Sequence, residues 1–267
     1  MGCPEFYEEF LTTWLSLLVE AGFKNPAIYA VEYTLVPQAR HPKQANEILL
    51  GYRHAVRLAD DVMSRVVVSG DSAGACLALG LIASIGWNRS PKEGVVPRFE
   101  RYVQLSAPFM AVLISPWVNL YSWRDRNTAG DFLDVDTLQE YAVDYMAHAQ
   151  PPALMNVDGA NKAVARGHWA AAALDGVGPG LCQEPTIWPN GCRRMFITYG
   201  TEEVFAATIR EFFEYLDAKT TLQTNRMAQS GMPHAWPVAS LFLSDGDRRL
   251  EGLRAIVAEM KECCGHA

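Results

Sequence analysis

Three short segments carry the residue types that acyl transfer needs. Gly70-Asp71-Ser72-Ala73-Gly74 presents a serine in a G-x-S-x-G pattern, which chance would produce only about 0.07 times in a chain of this composition. A serine hydroxyl is a poor nucleophile until a base removes its proton, and that base must be oriented by a carboxylate. Six histidines are available: His41, His54, His148, His168, His234 and His266. His234, within Gly231-Met232-Pro233-His234-Ala235-Trp236, follows the last strand-like run, where the order serine, acid, histidine puts the base. His54 stands among Arg53 and Arg57 on a helix and reads as surface, while His266 lies in the tail. The acid should follow the run Met195 to Tyr199, where Glu202 and Glu203 are adjacent. Neighbouring side chains point apart, so one can face His234 while the other caps the next helix or meets solvent.

The elements around Ser72 must hold it at a sharp turn. Arg65-Val66-Val67-Val68-Ser69 is a β-branched run expected to be a strand buried on both faces, and Cys76 to Ile85 is an apolar helix without charge. Strand, turn and helix in that order form a nucleophile elbow. The turn drives Ser72 toward strained backbone angles, and Gly70 and Gly74 let strand and helix approach without a Cβ clash. The backbone N–H of Ala73, at the helix start, then faces a developing oxyanion.

Helical and extended signals alternate along the chain, which predicts an α/β fold with a mostly parallel sheet and helices on both faces. Helices are expected over Tyr7–Val19, Gln44–Leu58, Phe205–Leu216 and Arg248–Lys261, from apolar residues at three- and four-residue spacing. Strands are expected at Ala27–Tyr33, Ala111–Ser115, Met195–Tyr199 and Thr221–Met227. From about 121 to 189 the period changes to Ala, Asp, Asn, Gly and Trp, and the stretch reads as a helical cap inserted into one domain spanning 1–267. Trp117, Trp123, Trp169 and Trp236 are read either as an aromatic pocket wall or as ordinary packing.

Composition narrows the partners. The 267 residues are 49% hydrophobic and 20% charged with a net charge of -7, which excludes disorder and argues against nucleic acid, whose binding rests on clustered Lys and Arg. No apolar stretch reaches the roughly 18 residues of a membrane span. Cys3, Cys76, Cys182, Cys192, Cys263 and Cys264 have neither zinc spacing nor the density of a disulfide scaffold and read as mostly reduced thiols. Glu5, Glu8 and Glu9 stand where a signal peptide would be basic, so a cytoplasmic location is expected. The start Met1-Gly2-Cys3 has Phe6 where a myristoylation signal needs Ser or Thr, and the tail Cys264-Gly265-His266-Ala267 lacks the aliphatic pair of a prenylation box.

Taken with Val31-Glu32-Tyr33-Thr34-Leu35-Val36-Pro37, Ser115-Pro116-Trp117-Val118-Asn119-Leu120 and Pro233-His234-Ala235-Trp236, the elbow makes the sequence resemble the hormone-sensitive-lipase branch of the α/β-hydrolases (fold-3). In those esterases the corresponding segments read G-D-S-A-G-G, D-Y-R-L-A-P-E, S-P-W-x-D-L and H-x-F. Their acid precedes a short apolar pair in D-P-L, and Glu203-Val204-Phe205 fills that place here. The resemblance thus implies Ser72, Glu203 and His234 as the triad, with no metal or organic cofactor. Two departures stand beside it. Ala75 replaces the second glycine after the elbow, and the family's H-G-G-G loop, which supplies most of its oxyanion donors, is not in this chain. The likeness implies that the chain begins after that loop and lacks the family's first strands. One of these would lie between the Ala27–Tyr33 and Arg65–Ser69 strands, leaving backbone groups unpaired unless the chain re-pairs or forms a homo-oligomer.

The leading expectation is a serine hydrolase for carboxylic esters of a small or hydrophobic substrate. The alternatives are a catalytically weak or inactive hydrolase-fold protein that binds a ligand or partner, and an amidase or aryl formamidase on the same fold.

Overall fold

Apolar spacing decides the helices, and unbroken apolar runs decide the inner strands. The computed structural model describes residues 4–60, 66–88, 105–146, 187–243 and 245–264. These form α1 (Pro4–Glu20), α2 (Lys43–Leu58), β1 (Val67–Asp71), α3 (Ala73–Asn88), β2 (Met110–Ile114) and α4 (Val135–Met146). They continue with α5 (Ile187–Gly191), β3 (Arg194–Gly200), α6 (Ala206–Lys219), β4 (Gln223–Gln229), α7 (Trp236–Ala239) and α8 (Gly246–Cys264). Among the described residues no helix is long and apolar enough to cross a membrane.

The chain divides into two compact units. In Met1–Glu32 with Ala235–Ala267, α1 packs on α8. Phe10, Trp14, Leu17 and Leu18 are buried on one helix and Leu253, Ile256, Val257 and Met260 on the other. A Glu9–Arg249 ion pair at 2.5 Å joins their more exposed faces.

The second unit, Tyr33–His234, contains the sheet. Its four strands are all parallel in the order β1-β2-β3-β4. Every residue of β2 is buried, as is β3 beyond Arg194, because strands flank both. Each fully buried Val, Leu, Ile or Met there contributes roughly 1.5–3 kcal/mol by leaving water. The helix α3 packs on β1 and β2, and α6 on β3 and β4. Because all four strands run the same way, the turns that follow Asp71, Ile114, Gly200 and Gln229 collect at one edge of the sheet.

Two expectations about strands are corrected. Ala27–Tyr33 is not a strand, and Ile28 and Tyr29 in it are exposed. A short apolar run becomes a strand only where a neighbouring strand pairs with it, and this run is not part of the described sheet. The gap expected beside it is therefore not a feature of the described sheet, whose four strands are contiguous. Nor is the run before Ser72 buried on both faces: Val67 and Val68 are half-buried and Ser69 is exposed. Among the described residues β1 has a strand neighbour on one side only. Of the stretch expected as a cap, residues 121–146 are described and contain α4, while 147–186 lie outside the described residues. The segment Arg65 and the residues Cys3, Cys182, His148, His168, Trp169 and His266 lie outside them as well.

Candidate active site

Ser72 stands between β1 and α3 with φ +53, a left-handed angle that a side-chain-bearing residue adopts only under constraint. The constraint is visible in its backbone bonds. Its N–H donates to Ile114 O at 3.0 Å, and its carbonyl accepts from Cys76 N–H at 3.1 Å and Trp117 N–H at 3.2 Å. Of the two flanking glycines, Gly70 carries the steric burden: a Cβ there would lie 2.4 Å from Gly74 C. A Cβ on Gly74 would meet little beyond the Tyr33 hydroxyl at 4.0 Å. Asp71 ends β1, and Ala73 opens α3 with its side exposed to solvent. As the first helical residue, Ala73 has an N–H without an intrahelical acceptor, which suits a developing negative charge.

Glu203 and His234 meet. The carboxylate Oε1 lies 3.7 Å from His234 Nδ1, and the residues are only 2% and 3% exposed. Neither atom has a hydrogen-bond partner among the described residues. The other carboxylate oxygen, Oε2, is held by the Ser115 hydroxyl at 2.6 Å and the Gly200 N–H at 2.9 Å. One oxygen is thus fixed while the second faces the imidazole. The loops that carry them also run together: Thr201 N–H donates to Gln229 O at 2.9 Å and Glu202 N–H to Met232 O at 3.1 Å. Gly200 permits this, because a Cβ there would stand 2.0 Å from Met232 O. Glu202 itself is exposed.

Aromatic rings complete the setting. Trp117 stacks on Phe205 with centroids 5.5 Å apart, and Phe205 presents its edge to His234 at 5.3 Å. Phe132 approaches the imidazole at 6.1 Å, also edge to face. The tryptophans differ in exposure. Trp123 is 46% exposed with Arg124 over its ring, whereas Trp236 is fully buried.

Other titratable groups nearby are committed elsewhere. Burial pushes the Cys76 thiol, four residues beyond Ser72, up to about 12, so it stays protonated and does not compete as a nucleophile. His41 is buried and shares a 3.2 Å hydrogen bond with the Tyr145 hydroxyl, and His54 is exposed as expected. Burial pushes the Asp125 carboxyl up to about 7, against hydrogen bonds from Thr208 and Ser122 that lower it. The nearby Glu203 charge raises it further. The thiols of Cys76, Cys192 and Cys263 are buried and that of Cys264 is half-buried.

Sequence reasoning missed Ser115 and Asp131. Ser115 directly follows β2, at φ +45, and its place after an apolar run and before Pro116 was the available signal. Asp131 accepts from the backbone N–H of His234 at 3.1 Å and of Val204 at 2.8 Å, and nothing in its local sequence marks it.

With this geometry in hand, the likenesses to known proteins can be stated. A family model described as the alpha/beta hydrolase fold matches residues 18–238. The chain is similar in structure to a hormone-sensitive lipase from a metagenome library, with a TM-score of 0.65 at 19% identity over 94% of this chain and 72% of the other. A likeness to an esterase of the bacterial hormone-sensitive lipase family has a TM-score of 0.63 at 17% identity, covering 99% and 72%. One to a hormone-sensitive-lipase homologue from a metagenome library, EstE7, has a TM-score of 0.56 at 21% identity, covering 87% and 66%.

Proposed function

Because this chain belongs to the alpha/beta hydrolase fold family, we propose that it is a serine hydrolase cleaving carboxylic esters of small or hydrophobic substrates through an acyl-enzyme. Ser72 is the nucleophile, His234 the base and then the acid, and Glu203 the carboxylate that orients it. The observation that carries this reading is the buried Glu203–His234 pair, at the same sheet edge as a serine held at positive φ. The resemblance of the fold to esterases supports the ester as substrate class.

Each step follows from the groups in place. Ser72 Oγ attacks the ester carbonyl carbon as its proton passes to His234, and the carbonyl oxygen becomes an oxyanion that the Ala73 N–H stabilises. The imidazolium then gives its proton to the departing alcohol. Water, deprotonated by His234, attacks the acyl-enzyme and releases the acid and free Ser72. Glu203 orients the ring. Its Oε1 and His234 Nδ1 face each other at 3.7 Å, and the positive charge that forms on the ring draws them into a charge-assisted hydrogen bond.

The test is hydrolysis of short-chain p-nitrophenyl esters together with mass spectrometry after fluorophosphonate treatment. We expect the label on Ser72, and a loss of more than about 1000-fold in kcat for Ser72→Ala. Label on another residue, or wild-type hydrolysis in Ser72→Ala, rules the assignment out.

A further inference from the structure

Glu203 and His234 sit on separate loops, after β3 and after β4, and their side chains do not yet bond to each other. Something else must set the distance between them. A third segment, the chain between β2 and α4, crosses both loops. The Thr128 hydroxyl donates to Glu202 O, and the Phe132 ring stands edge to face with His234. Between these contacts, one carboxylate spans the two loops: Asp131 Oδ1 accepts from the His234 N–H at 3.1 Å and the Phe132 N–H at 2.9 Å. Its Oδ2 accepts at 2.8 Å from the N–H of Val204, the residue next to Glu203. Asp131 is half-buried.

We propose that Asp131 is a positioning residue for the acid–base pair: its two oxygens bind the backbone of the base and of the residue beside the acid, and so fix how far Glu203 stands from His234. The proposal rests on the reading of Ser72, Glu203 and His234 as the triad. Asp131 touches neither imidazole nor carboxylate, so it acts through their loops. The chemistry suits a carboxylate. Three backbone donors converge on two carboxylate oxygens, and no other side chain of that size accepts at both ends. An asparagine would keep one accepting oxygen and turn an amide donor toward the other N–H.

The experiment is steady-state hydrolysis of a short-chain p-nitrophenyl ester by wild type, Asp131→Ala, Asp131→Asn, Glu203→Gln and the double variant Asp131→Ala with Glu203→Gln. Displacing a catalytic group by about 1 Å costs on the order of 100-fold. Asp131→Ala should therefore lower kcat about 100-fold with KM near the wild-type value, and Asp131→Asn should recover part of the loss, standing at about tenfold. In the Glu203→Gln background, the same Asp131→Ala change should cost less than about threefold, because the pair it positions no longer exists. A merely structural role would lower activity equally in both backgrounds. Should Asp131→Ala melt below the assay temperature, Asp131→Asn alone and combined with Glu203→Gln carries the same comparison. Ser72-dependent hydrolysis with both Asp131 variants within threefold of wild type, or additive losses in the double variant, overturns this proposal and leaves the triad standing. Wild-type hydrolysis that does not depend on Ser72 overturns both.

Discussion

The two ends of the site are built differently. At the β3–β4 end, Glu203 and His234 are buried, bonded from several elements and packed against Phe205. At the β1 end, Ser72 is half-buried on a strand whose neighbour lies on one side, and its bonds are made by its backbone. The contrast fits the roles proposed for the two ends. A carboxylate that stabilises an imidazolium acts most strongly where water is excluded, whereas a nucleophile must be reached by its substrate. One end therefore spends burial on orientation, and the other stores strain at an accessible turn.

The sharpest way to break this comparison is to neutralise the buried carboxylate. Glu203→Gln should lower kcat for p-nitrophenyl ester hydrolysis by about 10,000-fold, because the amide cannot stabilise the charged ring. Glu202→Gln, at an exposed side chain of the same loop, should stay within about twofold of wild type. The reverse outcome would make Glu202 the acid and place the orienting charge in solvent.

At the nucleophile end the expected effect is on stability. Gly70→Ala puts a methyl against the Gly74 backbone, which cannot step aside as a side chain would, and should cost about 1–3 kcal/mol in urea unfolding. Gly74→Ala has open space and helical geometry and should be neutral or slightly stabilising, by up to about 1 kcal/mol. Equal costs at the two glycines would show that the turn is not held by close approach at Gly70.

A pH-dependent effect concerns Asp125, a second buried carboxyl beside the acid–base end. Its ordinary value is near 3.9 in an unfolded chain, and burial raises it to about 7 in the fold. Between these values the folded state holds a proton that the unfolded state has released. Stability from this group is thus fully present below pH about 4 and lost as pH rises through about 7, on the order of a few kcal/mol in all. Asp125→Asn should abolish this slope, seen as a wild-type advantage that shrinks between pH 4 and 7 in denaturant melts. A wild-type advantage that grows over that range would mean that Asp125 is ionised and that Glu203 shares its surroundings with a second charge.

How the site was legible differs from residue to residue. Ser72 was readable because its constraint is local: a β-branched run, a glycine and an apolar helix start lie within a few residues of it. Glu203 was separated from Glu202 only by the resemblance, because Glu203-Val204-Phe205 fills the place of the family's D-P-L segment, whereas local spacing left both carboxylates open. Ser115 and Asp131 act across 88 and 103 residues, and no local pattern encodes a partner at that distance.

The sequence alone therefore determined the alternation of helices and parallel strands and the strained serine turn. Each of these depends on side-chain period or on residues close in the chain. The tertiary structure decided that Ala27–Tyr33 stays out of the sheet, that β1 is half exposed, and that one carboxylate from the β2–α4 segment joins the loops of Glu203 and His234. The physical reason is the same in all three. Hydrophobic period states which face of a segment turns inward, but backbone hydrogen bonds between distant segments depend on which neighbours the fold brings beside them.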